Sequence, residues 1–205
     1  MDWTDAWRDA FRTELRAEAI NFAEHGWPVI PGSYPHDDHW IGAPSCNQHA
    51  GTGTHGFVPV HRNWTQLAGC GPQRVAQLWS GQPFSVLLAT GLGIDALEVP
   101  AVLGRAAAIG LRMVDIPAPI AATPTGRWLF PVLGGARLPE KLTEHPDVVF
   151  HSQHGWIPLP PSLCLPGVVH WRVKPATWGW QLPRLLEVSD VVLAALQDVA
   201  LFTSR

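Results

Sequence analysis

The chain has 205 residues, of which 46% are hydrophobic and only 15% charged, with a formal net charge of −3. That length suits one domain, and 11 tryptophans in so apolar a chain exclude an intrinsically disordered one. Proteins held to nucleic acid mainly through phosphates carry a basic surplus, so any such role here must rest on a local patch.

No apolar run approaches the roughly 18 residues of a membrane-spanning helix, so no membrane association is expected. The N-terminus MDWTDAWRDAFRTELR lacks the apolar core of a secretory signal. Three cysteines cannot complete a disulfide set, which fits a reducing cytoplasm.

Residues 2–25 read as an amphipathic helix. Trp3, Trp7, Phe11 and Leu15 recur at four-residue spacing, Ala19, Phe22 and Ala23 continue the stripe, and Gly26 stops it. GWPVIP (Gly26–Pro31) reads as a short buried strand, with Pro28 at an edge or near its start. Residues 32–63 form a loop insertion rich in Pro, Gly, His, Asp and Thr. A structureless loop of that length is uncommon inside a compact domain, so it is functional, stapled by a metal, or mobile. It carries Cys46 and five histidines: His36, His39, His49, His55 and His61.

Gly71–Gly81 reads as a helix with Val75, Leu78 and Trp79 inward. PFSVLLAT (Pro83–Thr90) is a continuous apolar run, the mark of a buried strand. Gly91 and Gly93 make a turn into a second strand, Ile94–Val99. A helix follows over Pro100–Gly110, with proline near its start. Pro119–Pro124 and Arg127–Leu133 flank Thr125-Gly126 and read as a hairpin. DVVFH (Asp147–His151), GWIPLP (Gly155–Pro160) and VVHWRV (Val168–Val173) are further short strands. Ser189 is the expected N-cap of a final helix from Asp190 to about Leu201, with Val192, Leu196 and Val199 inward. Helices and strands mix without strict βαβ alternation, so the class is α+β.

Four groups of residues carry chemistry. Cys46-x-x-His49 has the close spacing of a zinc-ligand pair, and His55 or His61 completes a set; a solvated His-rich loop is the other reading. Asp95 and Glu98 lie on one strand, but at i and i+3. Side chains alternate along a strand, so the two carboxylates should point to opposite faces unless a bulge intervenes. A shared two-metal site, with metals about 4 Å apart, would need them on one face. Thr125, Gly126 and Arg127 make a Gly-centred turn whose N–H groups and guanidinium suit phosphate, or an ordinary hairpin. In HWRVKPATWGW (His170–Trp180), Arg172 and Lys174 alternate with aromatics that either stack bases or pack a core.

The order of these segments resembles a known family. AEHGWPVIP is followed by the Cys/His loop, QLWSGQP, FSVLLATGLGIDALEVPA, ATPTGRWLFPV and HGWIPLPPS. This is similar to the bifunctional DNA primase/polymerase N-terminal (prim-pol) domain of the archaeo-eukaryotic primase superfamily, in its divergent high-GC bacterial branch, over roughly residues 15–175. The resemblance implies one prim-pol-like domain over residues 1–205, with mixed sheets flanked by helices and the loop inserted at about 32–63. It implies template-directed nucleotidyl transfer in DNA replication, with nucleoside triphosphate and DNA as partners and Mg²⁺ or Mn²⁺ at Asp95 and Glu98. Zn²⁺ in an insertion, here at Cys46, His49 and His55, belongs to the same picture. The triphosphate contact falls on Thr125, Gly126 and Arg127, and Arg172 and Lys174 are the expected nucleic-acid contacts.

The departures are specific. The acidic pair has the wrong spacing for one strand face. The hairpin histidine of the family's pattern is missing from Gly126-Arg127-Trp128-Leu129. HSQHGW holds no carboxylate, the nearest being Asp147. These losses imply a degraded catalytic centre. The alternative they open is a non-catalytic protein on the same fold that binds nucleotide, nucleic acid or a protein partner.

Overall fold

A computed structural model describes residues 3–36, 39–42 and 56–203, with side chains for 9–36, 39–42 and 56–198. The elements run α1 (Trp3–Glu24), β1 (Val29–Gly32), β2 (Tyr34–His36), β3 (His39–Ile41), α2 (Trp64–Leu67), α3 (Pro72–Leu78), β4 (Ser85–Ala89) and β5 (Ile94–Pro100). They continue with α4 (Ala101–Met113), β6 (Ile120–Ala122), β7 (Arg127–Leu133), α5 (Glu140–Thr143), β8 (Val149–His151) and β9 (Trp156–Leu159). The chain ends through β10 (Leu163–Cys164), β11 (Gly167–Val168), β12 (His170–Val173), a 3-10 turn at Pro175–Trp178, and α6 (Leu185–Thr203). The class is α+β, as the lack of βαβ alternation implies. Among the described residues no helix is long and apolar enough to cross a membrane.

Two compact units form, residues 1–89 with 156–170 and residues 90–155 with 171–205. In the first, β1, β4 and β9 make an antiparallel sheet in the order β1-β4-β9. Of the stripe expected on α1, Leu15, Ala19 and Phe22 are almost wholly covered and Phe11 and Ala23 partly, while the side chains of Trp3 and Trp7 lie outside the described ones. Large aromatics are buried only where their polar atoms find partners. The indole of Trp79 donates to the Phe84 carbonyl (2.8 Å), and that of Trp156 to the Phe57 carbonyl (2.9 Å). The Ser162 hydroxyl accepts from the Val86 N–H (2.8 Å) and donates to the Val86 carbonyl (3.1 Å), so a side chain supplies two main-chain bonds to β4.

The segment expected as a loop over 32–63 starts with structure. β2 and β3 pair antiparallel, His36 opposite His39 and Tyr34 opposite Ile41. Trp40 then meets Phe57 edge-on, ring centroids 5.1 Å apart. Residues 43–55 lie outside the described ones.

The second unit holds a five-stranded sheet in the order β12-β6-β7-β5-β8. The expected hairpin is β6–β7, with Ala122 opposite Trp128. Leu97 and Val99 of β5, Trp128, Phe130 and Val132 of β7, and the inner faces of α4 and α6 form one apolar core. The final helix starts at Leu185, ahead of the expected Ser189 cap, for a local reason. The Glu187 carboxylate accepts the Arg184 N–H (2.8 Å), half of a capping box that satisfies a helix-start donor. Ser189 is instead fully buried within α6, and its hydroxyl has no partner among the described residues.

α4 reaches the sheet through Gly104. A Cβ there would lie 2.7 Å from both Cβ and Cγ of Trp128. Gly104→Ala gains up to about 1 kcal/mol of helix propensity but overpacks a filled site, which costs about 1–3 kcal/mol. Net destabilisation by about 1–2 kcal/mol is expected. Urea unfolding measures it, and an unchanged or raised midpoint would contradict this packing.

Candidate active site

The site is built across three adjacent strands, β7-β5-β8. In β5, Asp95 shares a face with Leu97 and Val99, and its cross-strand partner Val132 belongs to the same core. Glu98 faces the other way, with Ala96 and Pro100. Across the ladders Pro100 lies opposite Arg127 of β7, and Ala96 opposite His151 of β8. Arg127 and His151 therefore flank Glu98 from either side on its own face.

The contacts are short. Arg127 Nε donates to Glu98 Oε1 at 2.7 Å, and His151 Nε2 meets Glu98 Oε2 at 2.7 Å. Arg127 Nη2 also donates to the Asp147 carbonyl (2.8 Å), just ahead of β8. Glu98 and His151 are buried, and the Arg127 side chain is 18% exposed. Each carboxylate oxygen thus faces a close donor, as a charge removed from water requires.

Asp95 has a different task. Its Oδ1 accepts the Gly91 N–H and its Oδ2 the Gly135 N–H, both at 3.0 Å. This carboxylate ties the β4–β5 turn to the segment after β7. The turn demands glycine at 91, where φ is +86° and a Cβ would sit 2.6 Å from the Cα of Gln153. Thr90 closes the same region by donating to the Ser152 carbonyl (2.5 Å).

The remaining residues singled out by sequence are placed as follows. Thr125 and Gly126 are exposed at the β6–β7 turn, where Thr123 and Thr125 hydroxyls pair at 2.8 Å and the Gly126 carbonyl accepts the Ala101 N–H at the start of α4 (2.8 Å). Arg172 is exposed, with its guanidinium carbon 5.2 Å from the Trp128 ring centroid, a cation–π distance. Lys174 is exposed and precedes the 3-10 turn. Cys46, His49 and His55 lie outside the described residues. Among the described residues no group of three or more His, Cys, Asp or Glu has metal-site geometry.

A family model for the bifunctional DNA primase/polymerase N-terminal domain, Prim-Pol, matches residues 19–185. The chain belongs to the Prim-Pol family. Among curated proteins none matches it. The divalent metal that Prim-Pol chemistry implies can be tested against the donor set. Asp95 and Glu98 occupy opposite faces of β5, so they do not converge on one ion. Both oxygens of each already accept hydrogen bonds. The position that would share a face with Glu98, two residues on, is Pro100, which has no ligand atom. These residues do not fit a two-metal centre.

Sequence reading missed the Glu98–Arg127–His151 triad as a unit. Each member was visible, but the pairing of β5 with β8 joins segments some 53 residues apart, and no local pattern announces it. The usable signal is a basic residue and a histidine at strand positions in a chain so short of charge.

Two separate roles predict additive energetics. Glu98→Ala leaves a guanidinium without its counter-ion and an imidazole without its hydrogen-bond partner, and should cost about 3–5 kcal/mol. Asp95→Ala strands two N–H donors and should cost about 1–3 kcal/mol. The double variant should equal the sum within about 0.5 kcal/mol. A coupling above about 1 kcal/mol in chemical denaturation would mean that the carboxylates share a site after all.

Proposed function

We propose that this Prim-Pol domain serves DNA replication as a cytoplasmic binding module for nucleotide or nucleic acid, its centre for metal-dependent nucleotidyl transfer being degraded. The observation that carries the reading is that both oxygens of Glu98 are engaged, one by the Arg127 guanidinium and one by the His151 imidazole, with Asp95 turned to the other face. Phosphoryl transfer relies on positioning and charge neutralisation by metals held on convergent carboxylates. A carboxylate that already faces a guanidinium at 2.7 Å is poorly placed for that work.

Binding needs less. Arg172, steadied over Trp128, and the exposed Lys174 offer a small cationic patch for phosphate in a chain of net charge −3. The exposed Thr125-Gly126 turn offers a further contact for a triphosphate. Zinc at Cys46, His49 and His55 remains part of this proposal, as a structural staple, and less than about half an equivalent in chelator-free protein would remove it.

Primer extension and de novo synthesis with Mg²⁺ or Mn²⁺ test the central claim. No product is expected, alongside measurable binding of labelled single-stranded DNA by anisotropy. Replacing Arg172 and Lys174 together by Ala should lower the salt slope of that binding by about 1.4, two single-strand phosphate contacts at about 0.7 each. Metal-dependent synthesis by the purified wild-type chain would overturn the degraded-centre reading and restore an active polymerase.

A further inference from the structure

The solvent side of the α4–α6 layer carries several exposed apolar side chains. On α4, Val102 is 67% exposed, Ile109 59% and Met113 81%. At about 100° per residue these three fall within about 40° of one another. They form one apolar stripe along the helix. Isolated exposed apolar residues need no explanation, but a contiguous set marks an interaction site.

Charge is segregated on the same layer. Over Ala101–Met113, α4 carries Arg105 and Arg112 and no carboxylate. Over Leu185–Thr203, α6 carries Glu187, Asp190 and Asp198 and no base. All five are exposed, and neither arginine has an ion pair or side-chain hydrogen bond among the described residues. The two helices approach closely, since a Cβ on Gly110 would lie 2.6 Å from a methyl of Val191. Gly110 faces α6, so by helical period the arginines lie on the far flank of the stripe. Across the layer the order is therefore basic flank, apolar stripe, acidic helix.

We infer that this face is the interface of a homodimer, its occupant being the same face of a second copy. A two-fold interface must be self-complementary. An axis parallel to the helices sets the arginines of one copy against the α6 carboxylates of the other and closes the apolar stripe between them. Pairing α4 with α4 alone would oppose arginine to arginine, which disfavours that mode. The inference is independent of what the domain binds, because none of these residues belongs to the Glu98 triad or the Arg172 patch.

Sedimentation equilibrium of the full chain tests it. The wild type should be dimeric, and Ile109→Asp should raise the dimer dissociation constant at least tenfold, roughly what burying one charge in an apolar contact costs. Arg105→Glu/Arg112→Glu and Asp190→Lys/Asp198→Lys change only exposed positions, with circular dichroism as the folding control. Each should be monomeric alone, and an equimolar mixture should form the heterodimer, because acidic and basic layers then meet. A wild type still monomeric at about 100 µM, a dimer that survives all three variants, or a mixture that stays monomeric would each overturn the interface.

Discussion

The second unit is organised around one buried carboxylate. Glu98 sits in the middle strand of β7-β5-β8, and its two oxygens bind a guanidinium from one neighbour and an imidazole from the other. Removing charges from water is costly, and a buried ion pair seldom adds net stability over an apolar replacement. Its strength lies in exclusion of alternatives. A slip of one residue in β5 would turn Glu98 into the apolar core and expose Leu97 or Val99. The triad therefore fixes which strands are neighbours and in which register.

Arg127 extends that constraint outward. Its side chain joins Glu98 to the backbone ahead of β8, while its own N–H and carbonyl close the β6–β7 turn on Thr123. The same turn, through the Gly126 carbonyl, holds the first N–H of α4. The hairpin, the helix start and the buried charge are thus consecutive links of one hydrogen-bonded chain. Arg127, on which the triphosphate contact was expected to fall, has its side chain tied to Glu98 and to the Asp147 carbonyl.

Much of this was legible in the sequence. The helix of α1 with its buried Leu15, Ala19 and Phe22, the apolar run of β4, the strand β5 and the Thr125-Gly126 hairpin follow from period and turn chemistry. The opposed faces of Asp95 and Glu98 follow from strand parity alone. The segment order gave the family over nearly the span that the family model matches. What was not legible is non-local. Strand order across β5–β8 depends on residues far apart in the chain. The start of α6 depended on Glu187 reaching back to Arg184, which outweighed the stronger-looking serine at 189. The role of Asp95 rested on two glycine N–H groups that only the folded turn brings to it.

The triad also bears on the history open to this sequence. Arg127 and His151 each depend on Glu98, and Glu98 on both. Replacing Arg127 alone leaves a buried anion short of its counter-charge, and replacing Glu98 alone leaves two donors facing nothing. Ala96 or Pro100 would have to change as well before a second carboxylate of β5 shared the face of Glu98. A route from this centre to a metal-holding one therefore crosses intermediates that are less stable than either end. Substitutions that are individually harmful are rarely retained, so the arrangement is locked against single steps in either direction.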